Sequence, residues 1–300
     1  MADRRLQVFH AVAKHLSFTR AADTLFMSQP AVTFQVRQLE EQFNARLFER
    51  RHGSITLTPA GDLALSYAKR ILELSDEMDT RLAEMSGEMR GLLLLGASTT
   101  IAESLLPGVL VEFNASHRQA RPRLIVANSE AIASRVADHS LEVGLIDAPV
   151  KQHGLTCEVC CEDELTVICA PGYPLAKLKK VGPRALADYE YLSREPGSGT
   201  REIVENYFRA NKVAVDDLKT QMELGSQEAL KAVVATGLGF AIVSRAAVDK
   251  ELRLGLLLAI PLDPPLRRNI CLIQLEERFR SRLVSTFVQF ARQRLKERLA

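Results

Sequence analysis

The chain has 300 residues, 47% of them hydrophobic and 25% charged, with a net charge of +2. That length allows two or three domains, and that composition excludes both a disordered chain and a bulk polycation. Five cysteines, an odd number without paired spacing, argue against a disulfide framework. The N-terminus has no basic segment leading into an apolar run and a cleavage site, and no apolar stretch approaches the ~20 residues of a membrane helix, so the expectation is a cytoplasmic, reduced protein with no membrane association.

The charge is uneven. Residues 1–58 hold eight Lys/Arg and five acids, a net +3, whereas 59–90 hold four bases and seven acids, a net −3. From Arg4, Leu6, Phe9, Ala13 and Leu16 recur at helical spacing, and Ser17 offers a cap for a second helix closed by Leu25, Phe26 and Met27. Ser28 is an N-cap for a third helix, and Pro30 falls in the first turn, where its missing N–H has no partner to lose. In that helix Val32, Val36, Leu39 and Phe43 point one way, while Gln29, Pro30, Thr33, Phe34 and Arg37 lie toward the other. Two helices and a short turn, the second with a polar outer face, make a helix-turn-helix.

"LFERRHGSITLTPAG" then reads as a hairpin turning at His52-Gly53, with Arg50 and Arg51 beside the turn. Thr58 and Pro59 open a long helix whose Tyr67, Ile71, Leu74, Met78, Leu82 and Met85 form a near-heptad seam. Residues 60–87 would span about 42 Å, and a lone helix of that length leaves its seam in water, which implies a partner chain. Gly87 and Gly91 bracket its end. Beyond them "LLLLGA", "RLIVAN", "EVGLID", "LTVICA", "YEYLSR", "MELG", "GFAIVSR" and "NICLIQL" are short apolar strands separated by helical stretches, the pattern of a doubly wound α/β domain. The final "SRLVSTFVQFARQRLKERL" is a terminal helix.

"SFTRAADTLFMSQPAVTFQVRQLEEQFNARLFERRHGSITLTPAG" resembles the N-terminal domain of the LysR-type transcriptional regulators, with "SFTRAA", "SQPAV", "LE" and "LFER…LTPAG" in order. The resemblance covers the whole chain. It implies a multidomain fold: an all-α winged helix-turn-helix domain over 1–58, a long linker and dimerisation helix over 59–90, and a two-lobed α/β domain like the periplasmic binding proteins over 91–300. Lobe I is expected at about 91–162 and 268–300, and lobe II at about 163–267. "AVTFQV", "SGTRE" and "GLGFAIVSR" are most similar to the branch with sulfur-assimilation and carbon-fixation regulators. The family further implies double-stranded DNA and a small effector as partners, and a homodimer or a dimer of dimers.

The DNA-binding candidates are Ser28, Gln29, Pro30, Thr33, Phe34, Arg37, Arg50 and Arg51. Arg can bond guanine O6/N7 in bidentate fashion, Gln can bond adenine N6/N7, and Thr can serve a base edge or a phosphate. Phe34 departs from the polar or basic residue frequent in the family, and has two readings, contact with a thymine methyl or packing under the wing. Arg50 and Arg51 suit phosphates or the minor groove.

Cys157, Cys160 and Cys161 lack a second ligand pair for a metal and read as small buried hydrophobes, with Cys160 facing opposite to the other two on an alternating strand. No metal or cofactor motif is complete. "EPGSGTRE" fails the nucleophile elbow and the Walker loop, and "GLGFAI" fails GxGxxG because Ile242 holds the third glycine position. What remains in "EPGSGTRE" is a helix-opening loop, readable as an anion site or as a simple N-cap. In α/β sheets ligands lie beyond the carboxyl ends of strands. Four such ends lead into polar turns: Ser98-Thr99-Thr100, Asn128-Ser129, Gly197-Ser198-Gly199-Thr200 with Arg201 following, and Gly225-Ser226-Gln227. Gathered between lobes they suit a small anionic effector held mainly by neutral donors. A solute-binding receptor without a transcriptional role is the alternative, which residues 1–90 oppose. No nucleophile, base and orienting group can be assembled, so an enzyme is not expected.

Overall fold

The computed structural model describes residues 3–51, 54–85, 91–276 and 281–299, and the chain divides into two compact units at residue 88. The first unit holds α1 (Arg4–His15), α2 (Phe18–Leu25), α3 (Gln29–Phe43), an antiparallel hairpin of β1 (Phe48–Arg51) and β2 (Ser54–Leu57), and α4 (Pro59–Met85). The turn expected at His52-Gly53 lies outside the described residues. Side chains of Asp3, Ser17 and Ser28 accept backbone N–H bonds at the starts of α1, α2 and α3. Each of these helices ends in a left-handed residue: Leu16, Phe26 and Asn44, with φ of 46°, 52° and 49°.

Those endings overturn part of the expected core. Leu16 is 47% exposed and Phe43 46%, because the left-handed turn at the helix end carries the chain away from the face that packs inward, whereas Phe26 ends α2 as expected. The core is built instead on Val8, Phe9, Val12, Phe18, Val32, Val36 and Leu39. It closes on Phe48, whose ring centre lies 5.4 Å from that of Phe9 and 5.8 Å from that of Phe18.

The hairpin is tied down by two polar side chains. Glu40 Oε1 accepts from the N–H of Leu47 at 2.8 Å and of Phe48 at 3.3 Å, fixing the turn out of α3. Thr58 Oγ1 donates to Arg46 O at 2.6 Å and accepts from Gly61 N at 2.9 Å, so it joins the wing to the start of α4. Along α4, Tyr67, Ile71, Leu74, Met78 and Leu82 are all 44–63% exposed. The side chain of Met85, and residues 86–90 of the expected linker, lie outside those described.

The second unit contains β3 (Gly91–Ser98), α5 (Thr99–Ser104), α6 (Leu106–Ser116), β4 (Ala120–Ala127), α7 (Ser129–Ala137), β5 (Val143–Ile146) and β6 (Leu155–Cys169). It continues with α8 (Pro183–Leu186), β7 (Glu190–Arg194), α9 (Gly199–Ala210), β8 (Lys219–Leu224), α10 (Gln227–Ala235) and β9 (Ala241–Ser244). The last elements are α11 (Asp249–Arg253), β10 (Leu258–Ile260), β11 (Leu266–Leu275) and α12 (Arg282–Leu299). The main sheet runs β10-β6-β11-β5-β3-β4, with β9 also on β6, while β7 and β8 form a separate parallel pair. Helical crossovers join the parallel strands β3, β4 and β5, as parallel pairing requires.

β6 and β11 are long and antiparallel, and they pass through both lobes. Lobe I packs Leu93, Leu95, Phe113 and Phe287 on one side of these strands' ends, and lobe II packs Tyr191, Phe208, Phe240 and Ile242 at the other. The sequence reading missed β10 and began β6 too late. β6 starts at Leu155 because its first half, which exposes Cys157, Glu158 and Val159 in succession and so lacks a clean alternation, pairs with the apolar half of β11.

The cysteine expectation also changes. A bulge between Ile270 and Cys271 adds a residue to β6, so Cys160 and Cys161 both pack toward the lobe I core, against strict alternation. Cys157 is exposed, not buried. Burial pushes the Cys160 thiol up to about 12 and the Cys161 thiol up to about 11, which keeps both protonated and inert.

A Cβ on Gly61 would sit 2.1 Å from the Leu47 carbonyl oxygen, a clash with backbone that no rotamer relieves. Gly61→Ala is expected to destabilise the first unit by about 1–3 kcal/mol. Urea unfolding of the full chain, followed by circular dichroism, should show an earlier transition for the variant; an unchanged midpoint would refute the close approach.

Candidate functional site

On α3 the Ser28 hydroxyl accepts from Ala31 N at 3.4 Å, and Pro30 occupies the first turn. Val32, Val36 and Leu39 are buried, so the opposite face is presented outward. Gln29, Pro30 and Arg37 are exposed and Thr33 is half-buried. Gln29 Nε2 donates to Thr33 Oγ1 at 2.9 Å, which aligns two groups able to meet base edges. Phe34 is 57% exposed. Arg50 and Arg51 lie on β1 beside the turn, and their side chains are outside those described.

In the second unit the four polar turns stand at helix starts. Asn128, Ser198 and Ser226 each cap, accepting from Ala131 N, Arg201 N and Ala229 N, at the starts of α7, α9 and α10. Thr99 and Thr100 open α5. The lobes touch directly through these turns. Thr100 Oγ1 donates to Gln227 Oε1 at 2.6 Å, Asn128 Nδ2 to Pro196 O at 3.2 Å, and Glu130 N to Gly197 O at 3.3 Å. Gly197 has φ of +82° and Gly199 lies so close to Asp147 that a Cβ would fall 2.6 Å from Oδ1. Both positions need glycine for a geometric reason.

Beneath them lies a buried ionic network that the sequence reading missed. Arg268 on β11 is fully buried and bonds Asp147 Oδ2 at 2.5 Å through Nη1, Thr200 Oγ1 at 2.7 Å through the same nitrogen, and Asp163 Oδ2 at 2.8 Å through Nε. Nη2 lies 2.8 Å from Asp163 Oδ2 but makes no directed hydrogen bond. Ser129 donates to Asp147 Oδ1 at 2.6 Å and Ser244 to Asp163 Oδ1 at 2.8 Å. Burial disfavours the Asp147 carboxylate, but Arg268 and Ser129 outweigh it and hold its pKa below the ordinary value. The same carboxylates outweigh burial at Arg268 and hold its guanidinium charged.

The hydroxyls of these turns are engaged within the protein. Thr99, Thr100, Ser129 and Thr200 have partners, because with the lobes in contact each hydroxyl finds a protein group, and the buried Ser98 hydroxyl helps to hold the Asp147 carboxylate. Arg201 is engaged too, by Glu205 and Glu223 at 2.7 Å each and by the Arg194 carbonyl at 3.1 Å. Ser129, Gly197, Ser198 and Arg201 line an open cleft of about 560 Å³ with Lys151 and Gln152. The remaining candidates lie off this cleft: Ser98, Thr99, Asn128, Gly199 and Ser226, together with the Thr100–Gln227 contact and the Thr200–Arg268 bond. Alternation could have found Asp163 and Arg268, since both fall at inward positions between exposed neighbours on β6 and β11.

Removing one partner of a buried ion pair leaves an uncompensated charge, so Asp147→Asn is expected to lose about 3 kcal/mol of stability at pH 7. Because the folded pKa lies below the ordinary 3.8, the contribution is present above that pH and is lost as pH falls through the depressed value. Urea titrations at pH 7 and pH 3 should show a gap between parent and variant that narrows in acid; a gap independent of pH would contradict the ionised pair.

Residues 4–62 match the bacterial regulatory helix-turn-helix protein of the lysR family, and residues 86–296 match the LysR substrate binding domain. A probable RuBisCO transcriptional regulator of Cyanidioschyzon merolae is 35% identical over 289 residues, 95% of each chain. The RuBisCO operon transcriptional regulator of Allochromatium vinosum is 34% identical, covering 83% of this chain and 81% of its own. Among solved structures, the regulatory domain of CcmR from Synechocystis PCC6803, in complex with 2-PG, superposes with a TM-score of 0.63 at 27% identity, over 68% of this chain and 97% of that one. These relatives are regulators and not enzymes. With a winged helix-turn-helix unit and a two-lobed α/β unit that both match along their lengths, the chain belongs to the LysR family of DNA-binding transcriptional regulators.

Proposed function

We propose that the protein controls genes of carbon fixation, as a cytoplasmic homo-oligomer whose DNA affinity or geometry responds to a small anionic effector between the two lobes. The observation that carries the DNA-reading part is the outward face of α3, where Gln29, Thr33, Phe34 and Arg37 stand clear of the buried Val32, Val36 and Leu39. Gln29, Thr33 and Arg37 meet base edges in the major groove, Phe34 meets a thymine methyl, and Ser28 and Pro30 set the start of the helix. Arg50 and Arg51 on the wing neutralise phosphates. No described helix is long and apolar enough to cross a membrane, in keeping with a partner of this kind.

The effector reading draws on two supports. Helix starts of α5, α7, α9 and α10 meet where the lobes touch, and the CcmR regulatory domain, the relative at 27% identity, is described with 2-PG bound. The carbon-fixation reading draws on the RuBisCO regulators at 34–35% identity. The α4 seam supports a dimer, since five large apolar side chains would otherwise face water.

A duplex selected by the full chain from a random pool tests the roles. Arg37→Ala should weaken that duplex by about 1–3 kcal/mol and blunt discrimination at one base pair. Arg51→Ala should weaken selected and random duplexes alike and lower the salt slope by about one. Equal, sequence-independent losses from both would overturn the assignment. Leu74→Glu should give monomers in sedimentation with the second unit still folded, and an unchanged oligomer would dismiss the seam.

A further inference from the structure

We propose that Arg194 is the anchor that reads the anionic group of the effector, taking the two-oxygen edge of a carboxylate or phosphate; this rests on the reading of the second unit as an anion-responsive domain. Arg194 ends β7, and its side chain is only 4% exposed. One edge of its guanidinium is held within lobe II: Nε donates to Glu195 Oε2 at 2.8 Å and to Leu224 O at 3.1 Å, and Nη2 to Glu195 Oε1 at 3.1 Å. The other edge is aimed across at lobe I. There Nη2 donates to Thr99 Oγ1 at 2.9 Å, and Nη1 has no hydrogen-bond partner among the described residues.

A buried guanidinium with one edge closed by a carboxylate and the other offered to a single neutral hydroxyl is incompletely matched. Two parallel N–H groups fit two oxyanion oxygens, and the charge-assisted bonds are roughly twice as strong as neutral ones. An oxyanion that replaces Thr99 as acceptor gains both donors at once. It arrives beside Thr99, next to the Thr100–Gln227 contact that joins the lobes. The ligand then mediates a contact that Arg194 and Thr99 now make directly. Arg201, the cation to which the sequence points, lines the open cleft with its charge already paired to Glu205 and Glu223 and with Nη1 also bonded to the Arg194 carbonyl. Glu195 is the bonded counter-charge and keeps the guanidinium oriented, and Glu103 on α5 is a second carboxylate that interacts with Arg194, so both limit affinity.

The test uses the full chain at constant ionic strength, titrated calorimetrically with inorganic phosphate and, separately, with acetate, against chloride. The parent should bind phosphate; binding of acetate as well marks any oxyanion as sufficient, and phosphate alone marks a phosphate group. Arg194→Met should weaken binding at least tenfold. Arg194→Lys, which keeps the charge but not the paired donors, should retain a weak fraction, and Glu195→Gln should bind several-fold more tightly. Lys180→Met, which removes a surface pair with Asp263, should bind as the parent does. If Arg194→Met does not fold, the lysine and glutamine variants decide. Parent-like binding by both Arg194 variants, or weaker binding by Glu195→Gln, overturns the anchor and leaves the regulator reading intact. A parent that binds neither anion overturns the anionic effector and the anchor together.

Discussion

The two-lobed unit depends on one buried guanidinium. Arg268 sits where β6 and β11 cross from one lobe into the other, and it bonds Asp147 from lobe I, its cross-strand partner Asp163, and Thr200 from lobe II. A charge taken out of water is tolerated only when it is paired and its hydrogen-bonding groups are met. Each carboxylate is accordingly held by a second donor, Ser129 for Asp147 and Ser244 for Asp163. The result is a polar spine through an apolar sheet, linking the first turn of α7 to the first turn of α9. Any rearrangement of one lobe against the other must keep this set satisfied or replace its members.

That constraint explains the composition of the nearby turns. "PGSGT" needs glycine at 197 for a positive φ and at 199 because Asp147 is too close for a side chain, and it needs Thr200 as an acceptor for Arg268. Hydroxyls that read as free ligand donors are first of all partners of buried charges. In the first unit the same logic operates on backbone: Glu40 and Thr58 satisfy N–H and carbonyl groups at the edges of the hairpin, and Gly61 lets α4 approach Leu47.

Features carried by short stretches were legible in the sequence. Ser28, Pro30 and the Val32, Val36, Leu39 stripe locate α3 and its outward face from local chemistry alone, and Thr58-Pro59 locate the start of α4. Leu16 and Phe43 were misplaced because hydrophobicity outranks geometry in a periodic pattern, whereas the left-handed residues at the helix ends decide where such side chains point. Strict alternation failed at Cys160 and Cys161 because a single bulge reverses facing, and nothing local announces a bulge. Arg268 and Asp147 are 121 residues apart and pair only after the sheet forms, so no spacing rule joins them. Arg194 was hidden for the same reason: its meaning lies in Thr99, on another lobe.

The central claim is that a ligand between the lobes of the second unit alters how the first unit engages DNA. Its most direct measure is footprinting of the full chain on a duplex selected by that chain, with and without saturating phosphate at fixed ionic strength. The account predicts a change in the length or phasing of the protected region, or in the concentration needed to protect it, that depends on Arg194. Identical protection in both conditions, in a chain shown by calorimetry to have bound the anion, would contradict it.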